Sequence, residues 1–270
     1  MGIKLSEKEI KSIQIKILND ISAYCEKESL VYFLAYGSLI GAIRHKGFIP
    51  WDDDIDICMP RKDYDKLVNG YNRNNHGDTM LLSPETDPDY YVTSAKIVDT
   101  RTILKEYVST DKTIGVYVDV FPVDTWPNDL KLAQRHQRKI LFWRRLLTLK
   151  NLIVSKDRGI LKNIVISIGH VILFPVSKRK IIEKIMVISQ KYNYIDNPKY
   201  KGTVSEPDYG MGEIMPSEWM EEITEAVFEN YKFKVPVHYD DILKQLYGDY
   251  MKLPPKEMQV SHHGFDVWWK

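Results

Sequence analysis

The stretch Trp51-Asp52-Asp53-Asp54-Ile55-Asp56-Ile57 places four carboxylates within five positions. Such a cluster repels itself unless cations neutralise it. Residues 54–59 have the composition of a β-strand, whose side chains alternate between two faces, so Asp54 and Asp56 are predicted to share one face. Paired carboxylates on a strand suit Mg²⁺ or Mn²⁺. The alternative is an acidic surface turn, although such a turn does not need alternating isoleucines.

A second predicted strand contains one more acidic residue. In Val116-Tyr117-Val118-Asp119-Val120-Phe121-Pro122, Asp119 lies on the face opposite Val118 and Val120. A carboxylate in an apolar strand is costly unless it is paired or binds a metal. Together with Asp54 and Asp56 it can hold one or two Mg²⁺ ions against a phosphate, and it can also accept a proton from an attacking hydroxyl. The alternative for Asp119 is a structural ion pair with a lysine or an arginine.

The dipeptide Gly37-Ser38 lies between a predicted strand at 30–36 and a predicted helix at 39–45. Glycine lets the backbone approach a phosphate, and the serine hydroxyl and the helix N-terminus supply donors. Lys96, in mid-strand, and Arg44, near a helix end, are candidates to meet the same phosphates. A snorkelling lysine on an edge strand and a solvated helix end are the respective alternatives.

Composition limits the class of protein. The 270 residues include 38 Lys and Arg against 37 Asp and Glu, a net charge of +1, so no overall field recruits nucleic acid. The two cysteines, Cys25 and Cys58, favour a reducing compartment over a disulfide framework. The N-terminal residues lack the apolar stretch of a signal peptide. We therefore expect a cytoplasmic protein that does not bind nucleic acid.

Strands and helices interleave in the first half of the chain, whereas residues 128–190 are mostly helical and basic. This order predicts an α/β protein with a mixed β-sheet flanked by helices and a helical region in the second half. We expect a catalytic core at 1–127, a helical region at 128–200 and a C-terminal segment at 201–270 that packs back on the core. Capping and periodicity also predict helices at 7–28, from residue 61 and at 239–247, and strands at 91–98, 115–121 and 228–235.

The segment 159–176, GILKNIVISIGHVILFPV, is unusually apolar and is followed by the basic residues 178–180. Its length is near the lower limit for a membrane span, but three polar residues interrupt it and Pro175 closes it. We favour a buried helical hairpin over 159–190. The competing interpretation is a pair of helices that lies on an anionic leaflet, which uses the same apolar face and lysines.

Longer strings of residues resemble a known family. Gly37-Ser38, Asp54-x-Asp56 and the later Asp119 resemble the signature of the nucleotidyltransferase fold. The string from Tyr36 to His45 and on from Gly47 to Asp56 is similar to the LicD family, which is related to fukutin and fukutin-related protein. The blocks 118–124 and 247–255 match further parts of that family, so the resemblance spans nearly the whole chain.

The resemblance implies a nucleotidyltransferase-type core that transfers phosphocholine from CDP-choline to a hydroxyl of a teichoic acid, lipopolysaccharide or capsule precursor, releasing CMP. Gly37, Ser38, Arg44 and Lys96 would bind the donor phosphates, and Asp54, Asp56 and Asp119 would bind Mg²⁺ or Mn²⁺. The enzyme would work at the cytoplasmic face, with peripheral membrane contact through 159–190. The alternatives are another donor, CDP-ribitol or CDP-glycerol, and a non-catalytic nucleotide-binding scaffold.

Several residues keep two interpretations at this point. Asp52 and Asp53 either contact the metal ligands or cap the turn before the strand. His262 and His263 either close over the site or are incidental. Choline is commonly bound by aromatic faces, but each aromatic residue near the site in sequence is individually expected to have a structural role, in the core or on the surface. These residues are Trp51, Tyr90, Tyr91, Tyr117 and Trp126.

Overall fold

A mixed β-sheet with flanking helices forms the centre of the protein in a computed structural model, which describes residues 2–73, 77–105, 113–154, 159–260 and 266–270. His262 and His263 lie outside the described residues. The helices are α1 (Glu7–Lys27), α2 (Tyr36–Ile40), α3 (Arg61–Gly70), α4 (Leu130–Asn151), α5 (Ile160–Leu173), α6 (Lys178–Ser189) and α7 (Tyr239–Tyr247). The strands are β1 (Phe33–Leu34), β2 (Asp56–Pro60), β3 (Thr79–Leu82), β4 (Ala95–Asp99), β5 (Thr102–Lys105), β6 (Tyr117–Trp126), β7 (Tyr200–Gly202), β8 (Met215–Pro216), β9 (Ile223–Phe228), β10 (Tyr231–Pro236) and β11 (Asp266–Trp269).

The main sheet has the strand order β1-β2-β6-β4-β3. β2 and β6 run parallel, whereas β1 pairs with β2, and β4 with both β6 and β3, in antiparallel fashion. The long strand β6 continues beyond this pairing to β7, which pairs with β8. The mixed α/β architecture predicted from the sequence is confirmed, and the central place of β6 puts Asp119 in the middle of the sheet.

Helix α1 covers one side of the sheet, packing on β4 and β6. It begins with the predicted capping box, in which the Ser6 side chain accepts from the amide of Glu9 and the Glu9 carboxylate accepts from the amide of Ser6. Its apolar stripe is fully buried at Ile17, Leu18 and Ile21. The predicted amphipathic helix is therefore confirmed, and its apolar stripe packs against one face of the sheet.

A second apolar cluster lies between α4 and α6, against the end of β6. It includes Ile140 of α4, Ile181 and Ile185 of α6 and the indole of Trp126, all fully buried. This confirms the predicted helical character of the region after residue 128. The division into segments 1–127, 128–200 and 201–270 stays a prediction.

Several predicted boundaries are wrong, for local reasons. The strand predicted at 30–36 is confined to Phe33–Leu34, because α2 already begins at Tyr36. The strand predicted at 91–98 begins only at Ala95. The strand predicted at 228–235 belongs to a hairpin of β9 and β10, in which Phe228 pairs with Tyr231. The intervening Glu229 has a positive φ of 54°, so two apolar strands join through a tight turn that periodicity alone does not reveal.

The buried hairpin predicted over 159–190 is wrong for α5. Helix α6 buries its apolar stripe, but α5 presents one of its faces to the outside. Six apolar residues of this segment are between 65% and 85% exposed: Ile160, Leu161, Val165, Val171, Ile172 and Phe174. Among the described residues no single helix is long and apolar enough to cross a membrane. The pair Ile160–Leu173 and Lys178–Tyr192 meets those criteria together but bends by 83°.

Candidate active site

Three carboxylates converge at one edge of the parallel pair β2 and β6. Asp56 and Asp119 are register partners in these strands, and Asp54 lies two residues before the start of β2. Each of the three offers a carboxylate oxygen, and these oxygens lie within 4.8 Å of one another. The strand predicted to begin at residue 54 begins at Asp56 instead, so Asp54 reaches the site from the preceding turn. The three residues can hold a metal ion.

Burial and mutual repulsion destabilise three negative charges in this cluster. Burial raises the pKa of Asp56 well above its ordinary value, and the charges of Asp54 and Asp119 raise it further. Burial also raises the pKa of Asp119 to about 6, although Lys96 opposes the rise. A bound divalent cation would remove the repulsion and favour the ionised carboxylates. The donor set and its charge therefore fit a hard divalent metal.

Asp52 and Asp53 extend the acidic site. Together with Asp54 they form a second group whose carboxylate oxygens lie within 4.8 Å of one another. The backbone carbonyl of Asp53 accepts from Nε2 of the buried Gln14 at 2.7 Å, so α1 helps to hold the acidic turn. Asp54 belongs to both groups and links the turn to the strand.

Lys96 lies on an interior strand of the sheet, not on an edge strand, because β4 is flanked by β6 and β3. The interpretation as a snorkelling edge lysine is therefore wrong. Its Nζ is 2.7 Å from Oδ1 of Asp119 and 3.4 Å from the ring centre of Tyr117. The ion pair considered as the alternative for Asp119 is present, and it lies next to the three-carboxylate group. A role of Lys96 toward donor phosphates stays a prediction.

Gly37 and Ser38 lie inside the first turn of α2, not in a loop before it. The hydroxyl of Ser38 accepts from the amide of Asp56 at 2.9 Å and so holds the beginning of the acidic strand. A Cβ on Gly37 would lie 2.4 Å from Oδ2 of Asp52. Glycine therefore allows the helix to approach the acidic turn closely. Contact of either residue with a phosphate stays a prediction.

Arg44 lies in the π-helical turn Gly41–His45 that continues α2. Its Nη1 donates to the backbone carbonyls of Tyr250 and Lys252, and its Nε donates to Nδ1 of His45. These bonds fasten the turn to the C-terminal block 247–255. The structure thus shows Arg44 holding two parts of the chain together, and its role toward donor phosphates stays a prediction.

A loop at 203–213 returns to the acidic face from the second half of the chain, and sequence analysis did not identify it. Arg144 of α4 bridges Glu206 at 3.1 Å and Asp208 at 2.9 Å. Thr93 Oγ1 donates to Glu206 at 2.6 Å, and the charge of Glu206 contributes to the raised pKa of Asp119, after burial and the opposing effect of Lys96. The partners of Glu206 are distant in sequence, so local patterns carry no signal for this contact.

The five aromatic residues near the site in sequence are mainly buried in the protein or packed against another ring. Tyr90, Tyr91, Tyr117 and Trp126 are buried, and the Trp126 indole donates to the carbonyl of Glu213 at 2.9 Å. Trp51 meets the ring of His45 edge-on, with ring centres 6.3 Å apart.

Known proteins with similar sequences show the family to which this chain belongs. A family model described as LicD/FKTN/FKRP, nucleotidyltransferase domain, matches residues 29–148. The Haemophilus influenzae lipopolysaccharide cholinephosphotransferase LicD is 34% identical over 267 residues, which cover 96% of this chain and 97% of that protein. Uncharacterized proteins of Rickettsia typhi and Rickettsia prowazekii are 37% and 31% identical, over 22% and 23% of this chain and 19% and 26% of their own lengths. The chain therefore belongs to the LicD family.

Proposed function

We propose that this protein transfers phosphocholine from CDP-choline to a hydroxyl of a cell-surface glycan and releases CMP, with Mg²⁺ or Mn²⁺ as cofactor, on a nucleotidyltransferase-type core. As a member of the LicD family, the chain is a phosphotransferase. The observation that carries the proposal is the meeting of Asp54, Asp56 and Asp119 within 4.8 Å. Because the Haemophilus relative is named for lipopolysaccharide, we propose that glycan as the first acceptor to test, with teichoic acid and capsule precursors next.

The proposed reaction exchanges one P–O bond for another and moves one proton. The acceptor oxygen attacks the choline-bearing phosphorus, the bond from that phosphorus to the oxygen of CMP breaks, and the hydroxyl proton passes to Asp119. A divalent ion held by Asp54, Asp56 and Asp119 would neutralise the phosphates and the developing charge. Lys96 holds Oδ1 of Asp119 at 2.7 Å, so the carboxylate is oriented before substrates bind. Ser38 fixes the start of β2 and thereby the position of Asp56.

The experiment that tests this function measures CMP release with Mg²⁺ and each acceptor from CDP-choline, CDP-glycerol and CDP-ribitol in parallel. We expect turnover with CDP-choline, and a loss of about 1,000-fold or more in Asp56→Asn because the metal site and its charge stabilisation are lost. Asp196→Asn, at an exposed carboxylate outside the site, is the matched control and should keep wild-type turnover.

The outcomes separate the alternatives. Full turnover by folded Asp56→Asn would contradict the proposed mechanism. CMP from another donor alone would keep the mechanism and reject phosphocholine. Binding of CDP-choline without turnover, at equal affinity with and without Mg²⁺, would support the non-catalytic scaffold instead.

We further propose that α5 rests on the anionic inner face of a membrane, where a lipid-bearing acceptor would be available. Lys162 lies within α5, and the basic residues Lys178, Arg179 and Lys180 follow the helix in the chain, where Arg179 pairs with Glu183 at 2.6 Å; residues 159–182 contain no Asp or Glu. An apolar face with a basic rim is complementary to an anionic bilayer. Burial of each large apolar side chain contributes about 1.5–3 kcal/mol, and each basic residue near the lipid surface contributes about 1 kcal/mol.

Co-sedimentation with vesicles tests this surface. We expect the wild-type protein to bind vesicles with anionic lipid, and the triple variant Leu161→Gln, Val171→Gln, Phe174→Gln to bind at least about 1,000-fold more weakly. The matched control replaces Ile3, Met258 and Val260 by Gln, since these are exposed apolar residues elsewhere. Wild-type protein that stays in the supernatant at low salt, or a triple variant that binds equally, would reject membrane docking through α5.

A further inference from the structure

Four aromatic rings from distant parts of the chain meet beside the carboxylates. Tyr36, at the start of α2, stacks on Tyr209 with ring centres 5.6 Å apart and an interplanar angle of 16°. Tyr209 meets Tyr247, the last residue of α7, edge-on at 4.9 Å. Phe121 of β6 meets Tyr36 edge-on at 5.5 Å. We call Tyr36, Phe121, Tyr209 and Tyr247 the aromatic cluster.

The aromatic cluster lies within reach of the proposed metal site. Phe121 follows Asp119 by two positions on β6, so both side chains are on the same face of the sheet and about 6.6–6.8 Å apart along the strand. Burial raises the pKa of the Tyr209 and Tyr247 phenols, and the charge of Asp56 raises each of them further. A phosphate bound at the carboxylates would therefore lie near these rings.

The cluster is held in place by strong local constraints. Tyr36 has a φ of +47°, a left-handed conformation that is unfavourable for a bulky residue, so its position is maintained by the surrounding structure. Its hydroxyl donates to Thr203 Oγ1 at 2.6 Å, and the carboxyl group of Glu213 lies 3.3 Å from it. The Tyr247 hydroxyl donates to that of Tyr209 at 2.7 Å. Tyr209 remains 41% exposed, so the cluster combines fixed rings with access from solvent.

From this arrangement we propose that the aromatic cluster binds the quaternary ammonium of the choline group while the donor phosphates lie at Asp54, Asp56 and Asp119. This inference rests on the proposed function and adds the basis of donor choice. A quaternary ammonium is attracted to aromatic faces and cannot donate hydrogen bonds, whereas ribitol and glycerol are polyols that need hydrogen-bonding partners.

The test compares Tyr209→Leu, which removes the ring, with Tyr209→Phe, which keeps it. The donors are CDP-choline and its uncharged isostere, the CDP ester of 3,3-dimethylbutanol. We expect Tyr209→Leu to raise the KM and the equilibrium Kd for CDP-choline by about 3- to 30-fold, with little change for the isostere, because the loss is specific to the cation. Tyr209→Phe loses the hydroxyl that accepts from Tyr247 but keeps the ring, so it should keep the preference for CDP-choline over the isostere. Tyr231→Leu, at an exposed tyrosine outside the cluster, is the matched control.

The outcomes distinguish failure of this inference from failure of the proposed function. If the wild-type protein uses CDP-choline but Tyr209→Leu weakens both donors equally, or neither, the aromatic cluster is not the choline site and the proposed function stands. If the wild-type protein neither binds nor uses CDP-choline but uses CDP-ribitol or CDP-glycerol, both proposals are overturned. Kd values decide the inference where turnover is too slow to measure.

Discussion

The acidic cluster of the sheet and the outer face of α5 depart from ordinary protein architecture in opposite ways. At the sheet, Asp56 and Asp119 place charge in a buried setting, where desolvation disfavours it. On α5, apolar side chains up to 85% exposed remain in contact with solvent. A bound cation would neutralise the buried carboxylates, and a lipid surface would cover the exposed apolar side chains of α5. In each region, the unfavourable feature indicates the chemistry of the ligand that would stabilise it.

Hydrogen bonds and close contacts hold both regions, so neither the buried charge nor the exposed apolar surface results from loose packing. Lys96 and Ser38 fix the acidic residues by hydrogen bonds. Helix α5 is fastened to α4, because Lys150 Nζ donates to the carbonyls of Leu173 and Val176 at 2.9 and 2.6 Å. Gly169 also lies so close to α4 that a Cβ there would be 2.6 Å from Leu149. The inner side of α5 is thus well packed while its outer side stays open.

The largest stability effect is expected at the buried ion pair. Lys96→Met should destabilise the metal-free protein by about 3–5 kcal/mol, because it leaves Asp119 buried without its lysine partner. The double variant Lys96→Met, Asp119→Asn should recover most of that loss, since no unpaired charge remains. Urea unfolding of the wild type, both single variants and the double variant measures the coupling. A cost below about 1 kcal/mol for Lys96→Met would show that the sheet tolerates the unpaired charge.

A pH-dependent effect is expected at Glu213, which lies under Tyr36. Burial raises its pKa to about 8. Its stabilising contribution is therefore complete below the unfolded value of about 4.5 and is lost as the pH rises through 8. Glu213→Gln stays neutral, so its stability relative to wild type should improve by about 4 kcal/mol between pH 5 and pH 9.

Urea midpoints at pH 5, 7 and 9 measure the effect at Glu213. The control is Glu225→Gln, at an exposed glutamate of β9, which should follow the wild-type pH dependence. Equal pH slopes for Glu213→Gln and wild type would show that Glu213 is not held neutral by burial.

The comparison also shows which features the sequence could predict. The proximity of Asp54 to Asp56 was predicted from alternation within one strand, but Asp54 precedes β2 and reaches the site from the turn. The start of α1 and the end of α7 follow from the Ser6 capping box and from Gly248. The position of Lys96 on an interior strand could not be predicted, because the alternation of side chains along β4 does not show which strands lie beside it. The same holds for the contact of Tyr36 with Tyr209, which joins residues far apart in the chain.

The exposure of α5 was missed for a related physical reason. Periodicity reports an apolar face but not what covers it, so a buried hairpin and a docking helix give the same pattern. Here α6 occupies the core position against α4, and its Ile181, Ile182 and Ile185 are fully buried. Only the three-dimensional arrangement shows that the outer face of α5 remains open.

The smallest stability effect is expected on α5, where the contrast with the sheet is sharpest. In the absence of lipid, Leu161→Gln, Val171→Gln, Phe174→Gln should change the free energy of unfolding by no more than about 0.5 kcal/mol per site, because these side chains are 76–85% exposed. Leu173→Gln, at a buried residue of the same helix, is the matched contrast and should cost about 2 kcal/mol or more. Urea unfolding of both proteins distinguishes a surface kept for a partner from one that supports the fold. A triple variant as unstable as Leu173→Gln would show that the outer face of α5 is packed in solution.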